Sequence, residues 1–163
     1  VTCIIKLGPT ASEIVLSDTS RYIFPPDGFH KEYLKREIFR ERRSGGSDLA
    51  YSRIMAVQMS AQLDFVPDPV DGYDAALARL IALRRMLEDA RQYWRHLKDS
   101  PNPWPPVYYT EQFLNQGSLS PVTRYLVQTG DEVEGARVWL PSGGIRSNFE
   151  IRCDAPEEEN DLT

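Results

Sequence analysis

The chain predicts an α+β fold, an antiparallel β-sandwich or split barrel with one long flanking helix and a projecting arm, on three observations. The stretch from Asp71 to Lys98 carries Tyr73, Leu80, Leu87 and Trp94 every seven residues, with Ala76, Leu83, Ala90 and Leu97 as a companion row, so one helix face is apolar throughout. On either side of it, segments such as 56–65 and 149–154 alternate apolar and polar residues, the period of a half-buried strand. A charged excursion from Phe24 to Leu49 interrupts the strands before the helix. A single amphipathic helix among strands needs a sheet to cover it, which argues for a β layer plus one helix.

Length and charge set the frame. At 163 residues with 41% hydrophobic content the chain forms one domain, 1–163, with 24–49 as the arm and 154–163 as an acidic tail. A mean hydropathy of -0.44 and the lack of any long apolar run predict a soluble chain with no membrane partner. Thr2 to Leu7 is too short for a signal peptide, and a start at Val1 admits an upstream segment. The formal charge of -5 arises in the tail, where Asp154, Glu157, Glu158, Glu159 and Asp161 supply five of the 24 acids. The 19 remaining acids face 19 Lys and Arg, which lacks the overall basic surplus of a sequence-specific nucleic-acid binder. Cys3 and Cys153 fall inside alternating patterns at opposite ends of the chain and read as two buried small hydrophobes rather than a disulfide.

Taken in order, Cys3, Ile5 and Leu7 alternate before Gly8-Pro9, and Glu13 to Leu16 is a second short strand ended by Ser17-Asp18. The excursion opens with Pro25-Pro26-Asp27-Gly28 and closes with Ser44-Gly45-Gly46-Ser47. Between them Lys31, Lys35, Arg36, Arg40, Arg42 and Arg43 interleave with Glu32, Glu37 and Glu41. Tyr33, Leu34, Ile38 and Phe39 allow a short helix or an arm strand that orders against a partner. In the strand 56–65, Val57, Met59, Ala61, Leu63 and Phe65 face the core and Gln58, Ser60, Gln62 and Asp64 face water. Pro67-Asp68-Pro69 stops it. The helix follows, with Asp71 as cap, Asp74 in the first turn, and Arg91, Arg95 and Lys98 towards the other end, a length of roughly 40 Å at about 1.5 Å per residue. Four prolines within 100–106 surround Trp104 and end it. The last third reads as strands at 107–113, 122–129, 136–140 and 147–154, separated by Asn115-Gln116-Gly117-Ser118, Gly130-Asp131 and Pro141-Ser142-Gly143-Gly144.

A search for chemistry returns little. The chain has no GxSxG, HExxH, phosphate-loop or CxxC pattern, and His30 and His96 are its only histidines, so no catalytic residue, cofactor or metal site is assigned. Asp131, Glu132 and Glu134 cluster in a turn and offer oxygen ligands, but their spacing matches no calcium loop and a solvated hairpin tip accounts for them. The basic residues of the arm have the chemistry to meet phosphates. The three interleaved glutamates favour a protein contact instead. Arg79, Arg84, Arg85, Arg91 and Arg95 give the helix a positive side that the acidic tail can neutralise, within one chain or between copies.

The order of parts, more than any one motif, resembles the tail structural proteins of tailed bacteriophages, the tail-tube and distal-tail group. The likeness rests on Glu13-Ile14-Val15-Leu16-Ser17-Asp18 with Tyr22-Ile23-Phe24, the long excursion, the Val57 to Phe65 strand and the helix with Leu80, Leu83, Leu87 and Ala90. Val107-Tyr108-Tyr109, Tyr125-Leu126-Val127 and the Phe149 to Cys153 strand extend it over most of the chain. The resemblance implies a β-sandwich or split barrel flanked by a helix, copies assembled as a ring whose sheets line a lumen, an arm that reaches a neighbour, and no catalytic residues. It places the protein in the virion, assembled in the host cytoplasm. The heavy charge of 31–43 and the acidic tail depart from the group and leave the tail component open.

The function expected is a non-enzymatic structural subunit whose partners are copies of itself and neighbouring assembly proteins. Its candidate interface residues are Tyr33, Leu34, Ile38 and Phe39 on the arm and Arg84, Arg85, Arg91 and Arg95 on the helix. The alternative is a monomeric module that holds a ligand such as a sugar on its sheet face through Trp104 or Trp139. A small enzyme built on the Asp131 to Glu134 cluster is third.

Overall fold

A computed structural model of the chain describes residues 2–42, 48–154 and 157–158, and the side chains of 3–32 and 56–154. The fold is α+β, mostly antiparallel strands with one helix. Its strands are β1 (Thr2–Gly8), β2 (Ile14–Val15), β3 (Tyr22–Ile23), β4 (Phe29–Arg42) and β5 (Asp48–Phe65), then helix α1 (Tyr73–Arg95), then β6 (Tyr108–Asn115), β7 (Ser118–Leu119), β8 (Thr123–Glu132), β9 (Val138–Trp139), β10 (Ile145–Asp154) and β11 (Glu157–Glu158). They form one sheet with the path β2-β1-β6-β8-β10-β5-β3. β4 continues the edge begun by β3 along β5, since β3 pairs with Phe65 and Asp64 and β4 with Ala61 and everything before it.

β8 explains the curl. Its first half, Thr123 to Leu126, pairs with β6, while Val127 to Glu132 pairs with β10 on the opposite edge, with an irregularity in β10 between Arg152 and Cys153. Twisted strands joined through such an offset wrap into a half-barrel rather than two facing sheets. The inner face carries the core: Val57, Met59, Leu63 and Phe65 from β5, Tyr109 from β6, Tyr125 and Val127 from β8, and Ile145, Phe149, Ile151 and Cys153 from β10.

The helix closes the open side of this core. Ala76, Leu80, Leu83, Leu87 and Ala90 are each at most 1% exposed and pack chiefly over β8. Burial of each leucine side chain contributes about 1.5–3 kcal/mol. Gly130 sets the approach, because a Cβ there would stand 2.7 Å from Leu87 Cδ2. Trp94 Nε1 donates to the Val127 carbonyl at 2.8 Å and fixes the far end.

Three expectations about this helix need correction. It runs from 73 to 95 rather than 71 to 98, because the chain first makes a tight turn in which Asp68 and Gly72 bond each other's backbone. The N-cap is therefore Gly72, at φ 55°, with no side-chain cap, and Asp71 does not fill that role. Tyr73 and Leu97, the outer members of the two apolar rows, are 40% and 45% exposed, since the sheet is shorter than the stripe. The strand predictions fare better: β5 alternates buried and half-buried residues from Val57 to Phe65, and β10 keeps the same alternation to Cys153. Cys153 is buried, Cys3 is half-buried, and both are free thiols.

Candidate functional site

β4 and β5 pair over nearly their whole length, so the charged excursion is a long β-hairpin at its described positions. β10 accompanies β5 only from Phe65 to Ala56, where Asp154 pairs last. Beyond that point β5 extends eight more residues, 48–55, a length of about 26 Å at ~3.3 Å per residue. Among the described residues, the outer segment has no strand partner except β4. The hairpin register is interrupted twice at this boundary. Tyr33 pairs with Val57, Lys35 with Ala56 and Arg36 with Ile54; two residues on each strand separate the flanking pairs, so the register is the same on both sides of the irregularity. Of the four candidate arm residues, Tyr33 and Leu34 lie at this interruption, and Ile38 and Phe39 lie in the outer ribbon opposite Ser52 and Tyr51.

The inner part of the hairpin is pinned to the barrel. Phe29 stacks on Tyr109 with centroids 6.1 Å apart and meets Phe24 edge-on at 5.9 Å. Lys31, two residues on, turns its ammonium into the interior, where Nζ donates to Glu111 Oε1 at 2.5 Å and to the Tyr125 hydroxyl at 3.1 Å. Tyr109 and Tyr125 hydroxyls both donate to Glu111 at 3.2 Å. A charge-assisted network of this kind ties β4 to β6 and β8 across the curl. Burial works against the Lys31 charge, but the bonds to Glu111 and Tyr125 outweigh it and hold its pKa above the ordinary lysine value. Burial and the Glu111 charge push the Tyr109 phenol up. In the sequence, Lys31 is set apart from the other charges of the excursion only by its place two residues after Phe29.

Of the four candidate arginines Arg84, Arg85, Arg91 and Arg95, only Arg91 has an ion-pair partner among the described residues. Arg91 donates to Asp131 at 2.6 Å and to Glu88 at 3.3 Å, and the Asp131 bond raises its pKa. Arg84 and Arg85 are exposed and line a groove of about 540 Å³ with Glu88, Asp131, Glu132 and Glu134. Arg95 is exposed in the last helical turn. Arg91 is thus paired with the 130–135 turn. The backbone of β11 lies on β8 at Thr123 and Arg124, and the rest of the tail after Asp154 falls outside the described residues.

The acidic turn is a structural joint. Glu132 accepts from Arg137 at 2.7 Å and from the Ser147 hydroxyl at 2.6 Å. Burial alone would raise its pKa, yet these bonds bring it below the usual carboxylate value. Among the described residues, no group of three His, Cys, Asp or Glu side chains is placed to hold a metal ion. His30 is exposed, and His96 bonds Asp99 at 2.7 Å. Burial pushes the Cys153 thiol up to about 12. At the barrel end opposite the ribbon, Trp139 is 52% exposed and lies 4.4 Å from the Tyr73 ring, with Val138 beside it in sequence and also 52% exposed. Trp104 is half-buried. No described helix is long and apolar enough to cross a membrane.

No protein-family model and no curated protein sequence matches the chain.

Proposed function

We propose that the chain is a non-enzymatic structural subunit that self-associates into a ring or tube, of the kind found in phage tails. One observation carries this reading: among the described residues, a two-stranded ribbon outruns the sheet by eight residues of β5. Isolated two-stranded ribbons are marginal in water, and open strand edges invite pairing, so such a feature gains stability where a neighbour covers it. An edge that is a liability in a monomer becomes the joint of a closed assembly. Arg84 and Arg85, exposed on the helix, are further candidates for contact between copies. Lumen-lining sheets and neighbouring assembly proteins belong to the same reading.

The test combines native mass spectrometry with electron microscopy. Wild-type protein is expected as a large discrete oligomer that appears as rings or tubes. A variant with Tyr33, Leu34, Ile38 and Phe39 all changed to Ser is expected as a folded monomer. Intact rings from that variant would refute the assignment of these residues. A clean wild-type monomer near 18.6 kDa would favour the second reading, a ligand-binding module, for which the exposed Trp139–Tyr73 pair is the supporting feature.

A further inference from the structure

We propose that a polar cleft on the outer face of β4, β5 and β10 is a binding site for a guanidinium group. The strand registers build it. His30 pairs with Ser60 and Ser60 with Glu150, while Gln62 pairs with Asn148 in the next row, so side chains from three neighbouring strands share this face. The row from His30 to Glu150 spans about 10 Å at ~4.8 Å per strand. Gly28 ends the second row, where the Gln62 amide donates to its carbonyl at 2.5 Å. A Cβ at Gly28 would stand 2.8 Å from the Pro25 carbonyl oxygen, so this corner carries no side chain and Asp27 beside it lines the cleft instead. The cavity so enclosed measures about 360 Å³.

The chemistry of the lining is one-sided. Asp27 and Glu150 bring two carboxylates, and Ser60, Gln62 and Asn148 bring further acceptors. Among the described residues, none of these five side chains has a hydrogen-bond or ion-pair partner. Asn148 Oδ1 is buried as well, and a buried acceptor without a donor costs stability unless a bound group supplies one. Arg146, the outward residue of β10 before Asn148, is engaged with Asp64 by bonds of 2.7 and 2.9 Å. Arg152, the next one after Glu150, forms no ion pair with it. Two uncompensated carboxylates repel an anion and attract a cation. Among the described residues no three His, Cys, Asp or Glu side chains converge for a metal ion, which leaves an organic cation. A saccharide would stack on an exposed aromatic ring, and the phenyl ring in the lining, Phe149, is buried. A guanidinium carries more N–H donors than an ammonium, fixed in one plane, and gives up its water more readily, so it suits acceptors spread over two rows. The group comes from a small guanidine or from an arginine side chain of a polypeptide. This site belongs to the single chain and stands apart from whether copies assemble.

The experiment follows amide NMR signals of the isotope-labelled full-length chain during titration with methylguanidinium, methylammonium and N-acetylarginine amide. Saturable shifts are expected at Ser60, Gln62, Asn148 and Glu150, including the side-chain amides of Gln62 and Asn148, with methylammonium the weakest ligand. Tighter binding of N-acetylarginine amide than of methylguanidinium assigns the group to a polypeptide, and equal or weaker binding assigns it to a small guanidine. Asp27→Asn with Glu150→Gln is expected to weaken methylguanidinium at least about tenfold, the loss of one charge-assisted bond. The pair keeps the local shape, since asparagine adopts the φ of 58° found at position 27. Asp71→Asn with Asp89→Asn removes the same charge outside the cleft and is expected to leave the affinity unchanged. Asn148→Leu, which deletes the buried acceptor, is expected to weaken methylguanidinium as well. Absence of saturation, methylammonium as tight as methylguanidinium, wild-type affinity in either cleft variant, or equal weakening by the control pair would overturn the site.

Discussion

Lys31→Met is the sharpest perturbation available, because it removes one charge from a buried pair and changes little volume. The Lys31 and Glu111 side chains are 20% and 10% exposed, so screening by water is weak. Removal of one partner of such a pair costs about 3–5 kcal/mol, since the other charge stays buried. The Tyr109 and Tyr125 hydroxyls still donate to Glu111, which places the expected loss near the lower limit, about 3 kcal/mol. For a chain of this size that lowers Tm by about 6–12 °C. The double variant Lys31→Met with Glu111→Leu removes both charges and is expected to recover most of the loss. Equilibrium urea denaturation at pH 7 measures all three proteins. The pH dependence follows from the raised Lys31 pKa: its contribution is complete below the unfolded lysine value of about 10.4 and is lost as pH rises through the higher folded value. The gap between wild type and Lys31→Met should therefore close at alkaline pH. A single variant within about 0.5 kcal/mol of wild type, or a double variant less stable than the single, would refute the interior pairing.

Two other expectations come from the helix and the turn. Gly130→Ala drives a methyl into Leu87 and should destabilise by about 1–3 kcal/mol, the ordinary cost of overpacking, seen as a lower Tm with the β-rich circular dichroism spectrum unchanged. A wild-type Tm would mean that the Leu87 side chain gives way at no cost. The lowered Glu132 pKa gives stability that is complete above the unfolded carboxyl value of about 4.3 and is lost as pH falls through the folded value. Glu132→Gln should accordingly flatten the acid limb of the stability profile, and an unchanged limb would remove Glu132 from the joint.

What was legible in the sequence was whatever repeats. Leu80, Leu83 and Leu87 announced the buried face of α1, and the alternation from Val57 to Phe65 announced β5, because each pattern reports a face and each face is buried as a unit. The helix start is hidden because Asp71 has capping chemistry, whereas the Asp68–Gly72 turn uses backbone groups and leaves only a glycine at φ 55° as its mark. The excursion leaves a short helix and an arm strand both open in the sequence although β4 is a strand, since mixed charge hides alternation when the outward face is polar and the inward face carries a lysine. The pairing of β4 on β5 could not be read at all, because register is not written in either strand alone.

Register is also the better explanation of why an ion pair sits inside the barrel. A buried pair adds little net stability over apolar side chains of similar size. Its geometry, however, is exacting. A one-residue slip of β4 along β5 would turn Lys31 outward and bring either His30 or Glu32 opposite Met59 on the inner face. Glu32 would then confront Glu111 with like charge, and His30 is too short to span the same gap. Of these registers, the observed one brings an ammonium to Glu111. The double variant Lys31→Met with Glu111→Leu keeps the hydrophobic volume and loses this selection. Its expected signature is near-native stability with duplicate slow-exchanging backbone NMR signals for 29–42, from a second pairing register. A single set of signals at wild-type positions would show that Phe29 and the β5 alternation select the register without the charges.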